Sequence, residues 1–352
     1  MVGAGFIVRD CHLVAYAAAA YRVVGITSRT IATAREVAAL RGVPKVFDSL
    51  AAMLDDPEVE VVDIAVPPAE QPAVIRRILA HPRQVRGILA QKPLAMSYAE
   101  AASLVEACER AGVALQVNQN MRYDPSVRAL KGLIDDGRLG DPVLATIEMR
   151  AIPHWMPWAR DGRSLSTFVM SIHHLDTFRY WLGDPARVLA STRPDPRTSF
   201  PHADGINLYI LEYATGARAS GWDDVWAGPA REGAGSNIFV RWRFEGTEGL
   251  ALGEIGWPRW PERVPSTIEY TTTRAGGMWH RPVSEDAWFP DAFAGPMGGL
   301  LRAIETGERP DISGRDNLGT IALCEAVLTS ALEHRVARPD EFSSDRDRRG
   351  KS

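Results

Sequence analysis

Gly3-Ala4-Gly5-Phe6-Ile7-Val8 opens the chain and decides its fold. Two glycines at this spacing, at the turn from a strand into a helix, let the chain reverse tightly. They also bring backbone N–H groups within reach of a pyrophosphate. Val8 takes the last position of the G-x-G-x-x-G/A pattern, which implies slightly wider packing of helix on strand. The segments that follow support the turn. Residues 22–27 form a short, β-branched run of buried-strand character. A helical period through Ala34, Val37, Ala38 and Leu40 closes at Gly42. Residues 59–66 make the next strand and end at Pro67-Pro68; 70–81 read as a helix. Residues 87–90 are a strand running into Gln91-Lys92-Pro93. Ser97-x-x-Glu100 is a capping box for a helix over 98–111, closed by Gly112, and 113–117 is a further strand. This alternation predicts an α/β Rossmann domain, a doubly wound parallel sheet, over residues 1–122.

Only Met1 and Val2 precede Gly3, where the fold needs a central strand of about 5–6 residues. Each backbone group left unpaired on a neighbouring strand would cost about 1–3 kcal/mol. The expectation is therefore a truncated first strand and a natural start a few residues upstream.

Beyond residue 143 the texture changes to strand-like runs with Gly- or Pro-containing connections, at 143–152, 188–192, 206–213, 217–222, 238–245, 249–255 and 267–273. Helices are expected only at about 170–182 and 315–335. Residues 123–338 thus read as an α+β domain with a large open, mostly antiparallel sheet. Residues 343–352 have no apolar side chain, and the tail 339–352 is expected to be disordered.

Composition narrows the function. The 352 residues suffice for two cores, and 45% hydrophobic with 24% charged residues is ordinary for a soluble chain. A net charge of −4, with no basic run, gives nucleic acid no electrostatic case. No apolar stretch approaches the ~20 residues of a membrane span, and no signal peptide is evident. The three cysteines lie far apart without C-x-x-C spacing, so disulfides and structural zinc are not expected and a reducing cytoplasm fits.

Several residues carry candidate chemistry. Ser28-Arg29-Thr30 follows the second strand, where an acidic residue would hold a ribose 2′-hydroxyl. Arginine beside a small hydroxyl suits a 2′-phosphate instead, which favours NADP over NAD. Arg29 stacking on adenine, with both cofactors accepted, is the alternative. A lysine at a strand's carboxyl end, as Lys92 is, reaches the ligand crevice of such a sheet and could stabilise an alkoxide or polarise a carbonyl; an ordinary surface lysine is the bland reading. On the helix through 171–183, His173 and Asp176 share a face and His174 points elsewhere. His173 is a candidate general acid/base or a satisfied core group. Adjacent histidines on a helix do not converge on one ion, so no metal is expected. Of ten tryptophans, seven lie from Trp222 onward and read as sheet packing or a subunit interface. Trp155 and Trp158, with His154, are candidate substrate walls.

Together these pieces resemble the Gfo/Idh/MocA oxidoreductase family. The resemblance rests on Gly3-Ala4-Gly5-Phe6-Ile7, Pro67-Pro68, Gln91-Lys92-Pro93-Leu94-Ala95, Asn120-Met121-Arg122-Tyr123-Asp124-Pro125, Ile172-His173-x-x-Asp176 and Ile312-Ser313-Gly314-Arg315-Asp316-Asn317-Leu318. It implies hydride transfer between a nicotinamide and a carbinol carbon of a sugar, cyclitol or glycoside. It also implies a homodimer or homotetramer built on the free face of the C-terminal sheet. The family's E-K-P lysine falls on Lys92, with Gln91 in place of its glutamate. The D-x-x-x-H pair falls on Val169 and His173, without its aspartate. The T/P-N-x-x-H turn becomes Pro67-Pro68-Ala69-Glu70-Gln71, without its histidine. By resemblance Lys92 and His173 are catalytic. Gly3, Gly5, Phe6, Ile7, Ser28, Arg29, Pro67, Gln71, Gln91, Lys92 and Asn120 meet the cofactor. Arg122, Tyr123, His154, Trp155, His174 and Asp176 meet the substrate. Two alternatives stand beside this: a redox-neutral member of glycosidase type, and a non-catalytic ligand sensor.

Overall fold

The computed structural model describes residues 1–152, 156–162, 164–228 and 237–343. The chain divides into two units, Met1–Asn120 with Phe289–Ile321, and Met121–Trp288 with Ala322–Ser352.

The first unit carries the parallel strands β1 (Gly25–Ile26), β2 (Lys45–Val46), β3 (Val61–Asp63), β4 (Gly87–Gln91) and β5 (Ala114–Asn118). β1 pairs with β2, and β3, β4 and β5 pair in that order. Met1–Gly3 joins the two groups. Val2 N donates to Asp63 O at 2.8 Å and Gly3 N to Thr27 O at 2.9 Å, while Thr27 N donates to Met1 O and Ala65 N to Val2 O. The expected gap in the sheet is thus bridged by very few residues. The Met1 ammonium is buried on Gly25 O at 2.9 Å, and desolvation holds its pKa below the ordinary value.

Helices α1 (Leu13–Ala18), α2 (Ile31–Arg41), α3 (Leu50–Asp55), α4 (Gln71–Leu79) and α5 (Tyr98–Arg110) alternate with these strands. Local signals explain their ends. Gly42 takes the left-handed conformation that stops α2 (φ +69°), and the Ser97 hydroxyl accepts from Glu100 N at the start of α5. The turn Val8–His12, ahead of α1, is a π-turn and begins at Val8, where the glycine pattern lacks its last small residue.

The domain boundary differs from expectation. Residues 289–321 belong with the first unit, not the second. They include a helix that the sequence pattern did not signal, α9 (Ala294–Thr306), which packs on β4 and β5. Gln116 Nε2 donates to Pro296 O at 2.6 Å, and a Cβ on Gly87 would lie 2.6 Å from Ile304 Cδ1. The physical reason is that this face of β4 and β5 is apolar and needs a cover.

The second unit is built on a seven-stranded sheet among the described residues. Its strands are β6 (Pro142–Arg150), β7 (Arg187–Arg193), β8 (Ile206–Glu212), β9 (Arg218–Asp224), β10 (Phe239–Gly246), β11 (Gly249–Glu254) and β12 (Thr267–Thr272), in the order β12-β11-β10-β6-β9-β8-β7. Only the β6–β9 pair is parallel. Helices α6 (Pro125–Asp135) and α8 (Ile172–Leu182) lie on one face, where Trp181 Nε1 donates to Val127 O and Trp242 Nε1 to Ser126 Oγ. α6 and the short α7 (Pro157–Asp161) add to the two helices expected here. The opposite face leaves Leu189, Leu208 and Ile210 exposed. The last helix is α10 (Gly314–Glu333). Order extends past residue 339, contrary to expectation. Pro339–Glu341 is a 3-10 turn in which Glu341 accepts from Arg338 N at 2.9 Å and pairs with Arg335. Among the described residues no helix is long and apolar enough to cross a membrane.

Candidate active-site residues

In the first unit the glycine turn is shaped as a cradle. Gly3 has φ +109°, and a Cβ there would sit 2.2 Å from Ala65 O, so only glycine fits. Gly5 is exposed, and nothing lies within 4 Å of where its Cβ would be. That open approach to backbone before a helix fits a pyrophosphate. Phe6 and Ile7 follow the turn and are half-buried, as is Pro67 two residues beyond Ala65, and Asn120 is buried after β5. Ser28 is half-buried after β1. Arg29 is 83% exposed and donates through Nη1 to Glu70 Oε1 at 2.8 Å.

Lys92 follows the last residue of β4, on a segment held from both sides. Gln71 is fully buried. Its Oε1 accepts from Gln91 N at 2.7 Å, and its Nε2 donates to the carbonyls of Gln91, Pro93 and Leu94 at 2.8–3.1 Å. Expected to touch the cofactor, the Gln71 carboxamide is instead committed to the backbone on either side of Lys92. Gln91 also turns inward, its Nε2 lying 2.8 Å from His12 Nε2. His12 and Asp63 form a buried pair at 2.7 Å that sequence reasoning did not single out. A signal existed: Asp63 interrupts the apolar run Val61-Val62-Asp63-Ile64, and a buried carboxylate requires a partner.

In the second unit, His173 is 4% exposed and stands edge-on to Trp288 at 5.2 Å between ring centroids; Trp288 stands edge-on to Trp257 at 5.9 Å. The preceding turn, Thr167–Ser171, is again a π-turn, and Val169 on it is buried. Three candidate substrate residues have other commitments. Arg122 and Asp176 form a bidentate pair at 2.6 and 2.7 Å, with the Arg122 guanidinium over the Tyr180 ring. Two groups that neutralise each other in a buried fork have little charge left for a ligand. His174 is wholly buried, its Nδ1 2.9 Å from Asp223 Oδ1, and so lines no accessible surface. Tyr123 is half-buried under the Arg128 guanidinium. His154 and Trp155 lie outside the described residues; Trp158, on α7, is half-buried.

Asp124 caps α6, accepting from Ser126 N and Val127 N, and it also accepts from the Ser126 and Ser266 hydroxyls. Burial outweighs these bonds and pushes its pKa up to about 6. Among the described residues no group of three or more His, Cys, Asp or Glu could hold a metal ion.

The two units match two family models: residues 1–119 the "Oxidoreductase family, NAD-binding Rossmann fold", and residues 127–252 the "GFO/IDH/MocA C-terminal domain". The chain belongs to the Gfo/Idh/MocA oxidoreductase family. It is 27% identical to the D-apiose dehydrogenase of Paraburkholderia graminis over 84% of this chain and 77% of the relative. It is also 27% identical to the inositol 2-dehydrogenase of Rhizobium meliloti over 89% of this chain and 90% of the relative. In fold it is similar to an oxidoreductase from Agrobacterium radiobacter solved with NAD+, L-tartaric acid and magnesium, with a TM-score of 0.82, 22% identity and coverage of 97% and 98% of the two chains. Residues 1–119 of this family member are thus its NAD-binding Rossmann domain.

Proposed function

We propose that the chain moves a hydride between a nicotinamide and a carbinol carbon of a sugar, cyclitol or glycoside. The reading is carried by Lys92, held on a clamped segment at the carboxyl end of β4, in a family member whose relatives are named for D-apiose and inositol. The nicotinamide, when bound, supplies the hydride acceptor. Lys92 stabilises the alkoxide that develops as hydride leaves, and His173 takes the hydroxyl proton, directly or through water. Gly3, Gly5, Phe6, Ile7, Pro67 and Asn120 are the proposed cofactor contacts, and Tyr123 a substrate contact. Replacing Lys92 by Met is expected to lower kcat by on the order of 10²–10⁴-fold with cofactor affinity retained. An unchanged kcat on the best sugar or cyclitol from a screen would remove the assignment.

NADP is the proposed preference. Support comes from Ser28-Arg29, where no acidic side chain follows β1 to hold a ribose 2′-hydroxyl. Titration with NADPH and NADH, read by quenching of tryptophan fluorescence, tests it; tighter NADH binding would reverse the preference.

A second copy of the chain is the proposed occupant of the bare sheet face, where Leu208 is 49% and Ile210 48% exposed beside Leu189. Light scattering should give a dimer or larger assembly, and Leu208→Asp should shift it to monomer. The cytoplasm is the proposed compartment, supported by three cysteines that are free and buried.

A further inference from the structure

Behind Lys92 lies a buried polar cluster assembled from four elements. His12 ends the π-turn and Tyr16 lies one turn further on, so the two share a helix face. Asp63 ends β3. Gln91 and Asn118 are register partners at the ends of β4 and β5. Tyr16 OH donates to Asp63 Oδ2 at 2.6 Å; burial, then the Asp63 charge, holds its pKa well above the ordinary value, so it keeps its proton. His12 Nδ1 meets the same carboxylate oxygen at 2.7 Å. With an acceptor on that side, the ring proton belongs on Nδ1. Nε2 then accepts from two carboxamides, Gln91 Nε2 at 2.8 Å and Asn118 Nδ2 at 3.2 Å. Phe293 closes the ring's remaining side at 5.2 Å between centroids. The buried Met1 ammonium is also coupled to Asp63.

We propose that His12, oriented by Asp63 and Tyr16, is a positioning residue for Lys92 and acts through the side chain of Gln91. Gln71 grips the backbone around Lys92, and the side chain of Gln91 adds a second hold on the same segment. That side chain ends on His12. The chain of contacts Asp63–His12–Gln91 therefore sets the direction in which the residue after Gln91 leaves the strand. A displacement of about 1 Å in a reacting group can cost about 100-fold in rate, so such a brace matters where a lysine must meet one oxygen. The glutamine suits this role: a carboxylate at position 91 would offer an acceptor to Nε2 and demand a second ring proton.

The inference rests on Lys92 being the reacting lysine, but its test does not need turnover. The chain has four lysines, Lys45, Lys92, Lys131 and Lys351. Reductive ¹³C-dimethylation of the whole protein gives few enough resonances to follow each one, with Lys92 assigned by its loss in Lys92→Arg. Gln91→Leu removes the brace at its last link, His12→Leu removes its centre, and His12→Asn keeps a donor toward Asp63 but does not reach Gln91. The expected result is that Gln91→Leu and His12→Leu shift the Lys92 resonance and its titration midpoint. Lys45 and Lys131 and the melting temperature of Gln91→Leu should stay in place, and His12→Asn, which lacks the link to Gln91, should leave Lys92 shifted as His12→Leu does. A Lys92 resonance unmoved in Gln91→Leu would overturn the proposal. So would movement of all lysines together with a loss of melting temperature, the mark of a purely structural role. Failure of Lys92→Met to lower kcat would instead remove the assigned chemistry and leave this coupling standing, so the two fail separately.

Discussion

His12 with Asp63 in the first unit and His174 with Asp223 in the second are built alike. Each histidine belongs to or closely follows a π-turn, is buried, and meets an aspartate near the end of a strand, at 2.7 and 2.9 Å. They differ at both ring nitrogens, for His12 Nδ1 is hydrogen-bonded to its aspartate and His174 Nδ1 is only close to its own. His12 Nε2 receives two carboxamides, one from the residue before Lys92. Neither His174 nitrogen has a hydrogen-bond partner among the described residues; its Nδ1 lies close to Asp223 Oδ1 without hydrogen-bond alignment. The second pair spends its bonds inward: Asp223 accepts from the Ser171 hydroxyl, which in turn accepts from Asn207 Nδ2 at 3.1 Å. One imidazole thus links a strand to the segment that carries Lys92, whereas the other lies within the helix that carries His173. The same side-chain pair serves position in one place and foundation in the other, and what the ring nitrogens touch marks the difference.

The sharpest way to break this contrast is His174→Leu. It leaves the Asp223 carboxylate buried without its imidazole and is expected to cost about 3–5 kcal/mol in urea unfolding. A loss below about 1 kcal/mol would mean the pair is no foundation.

Asp124 supplies a buried carboxylate with hydroxyl and amide partners but no imidazole, and so sharpens the comparison. Its pKa is raised in the folded chain, so the native state binds more protons than the unfolded state between about pH 4 and 6. Stability therefore falls as pH rises through that window, by at most about 3 kcal/mol. Asp124→Asn keeps the cap and removes the titration. Its melting temperature should fall less between pH 4 and 6.5, and an unchanged slope would assign the pH dependence elsewhere.

The smallest effect is expected at the surface. Glu70→Gln frees Arg29 from an exposed ion pair worth under about 1 kcal/mol. Stability should hardly change, while NADPH affinity rises a few-fold relative to NADH. Equal gains for both cofactors would separate Arg29 from the 2′-phosphate.

What could be read in advance depended on range. Gly42, Ser97 and Gly183 mark helix ends by local chemistry, and the strands of the open sheet alternate visibly. Lys92 and His173 stand out in the sequence through motif spacing, and their roles remain proposals. His12, Asp63 and the commitment of Gln71 were not, because their partners lie far away in the chain and nothing local to either residue announces them. The pairing of Arg122 with Asp176 escaped for the same reason. Helix α9 was hidden by its composition: Gly295, Pro296, Gly298 and Gly299 read as loop, yet Gly298 is small because a Cβ there would lie 2.4 Å from the Tyr21 hydroxyl.

The placement of residues 289–321 in the first unit has a consequence for how the protein is made. A ribosome adding ~5–20 residues per second delivers β5 roughly 10–40 s before the helix that covers it. During that interval the apolar face of β4 and β5, with the Gln116 carboxamide among it, has no native lid. The nascent chain therefore passes through a stage in which its nucleotide-binding half is patterned but not closed, and a fragment released near residue 122 would keep that face open to aggregation or chaperone capture.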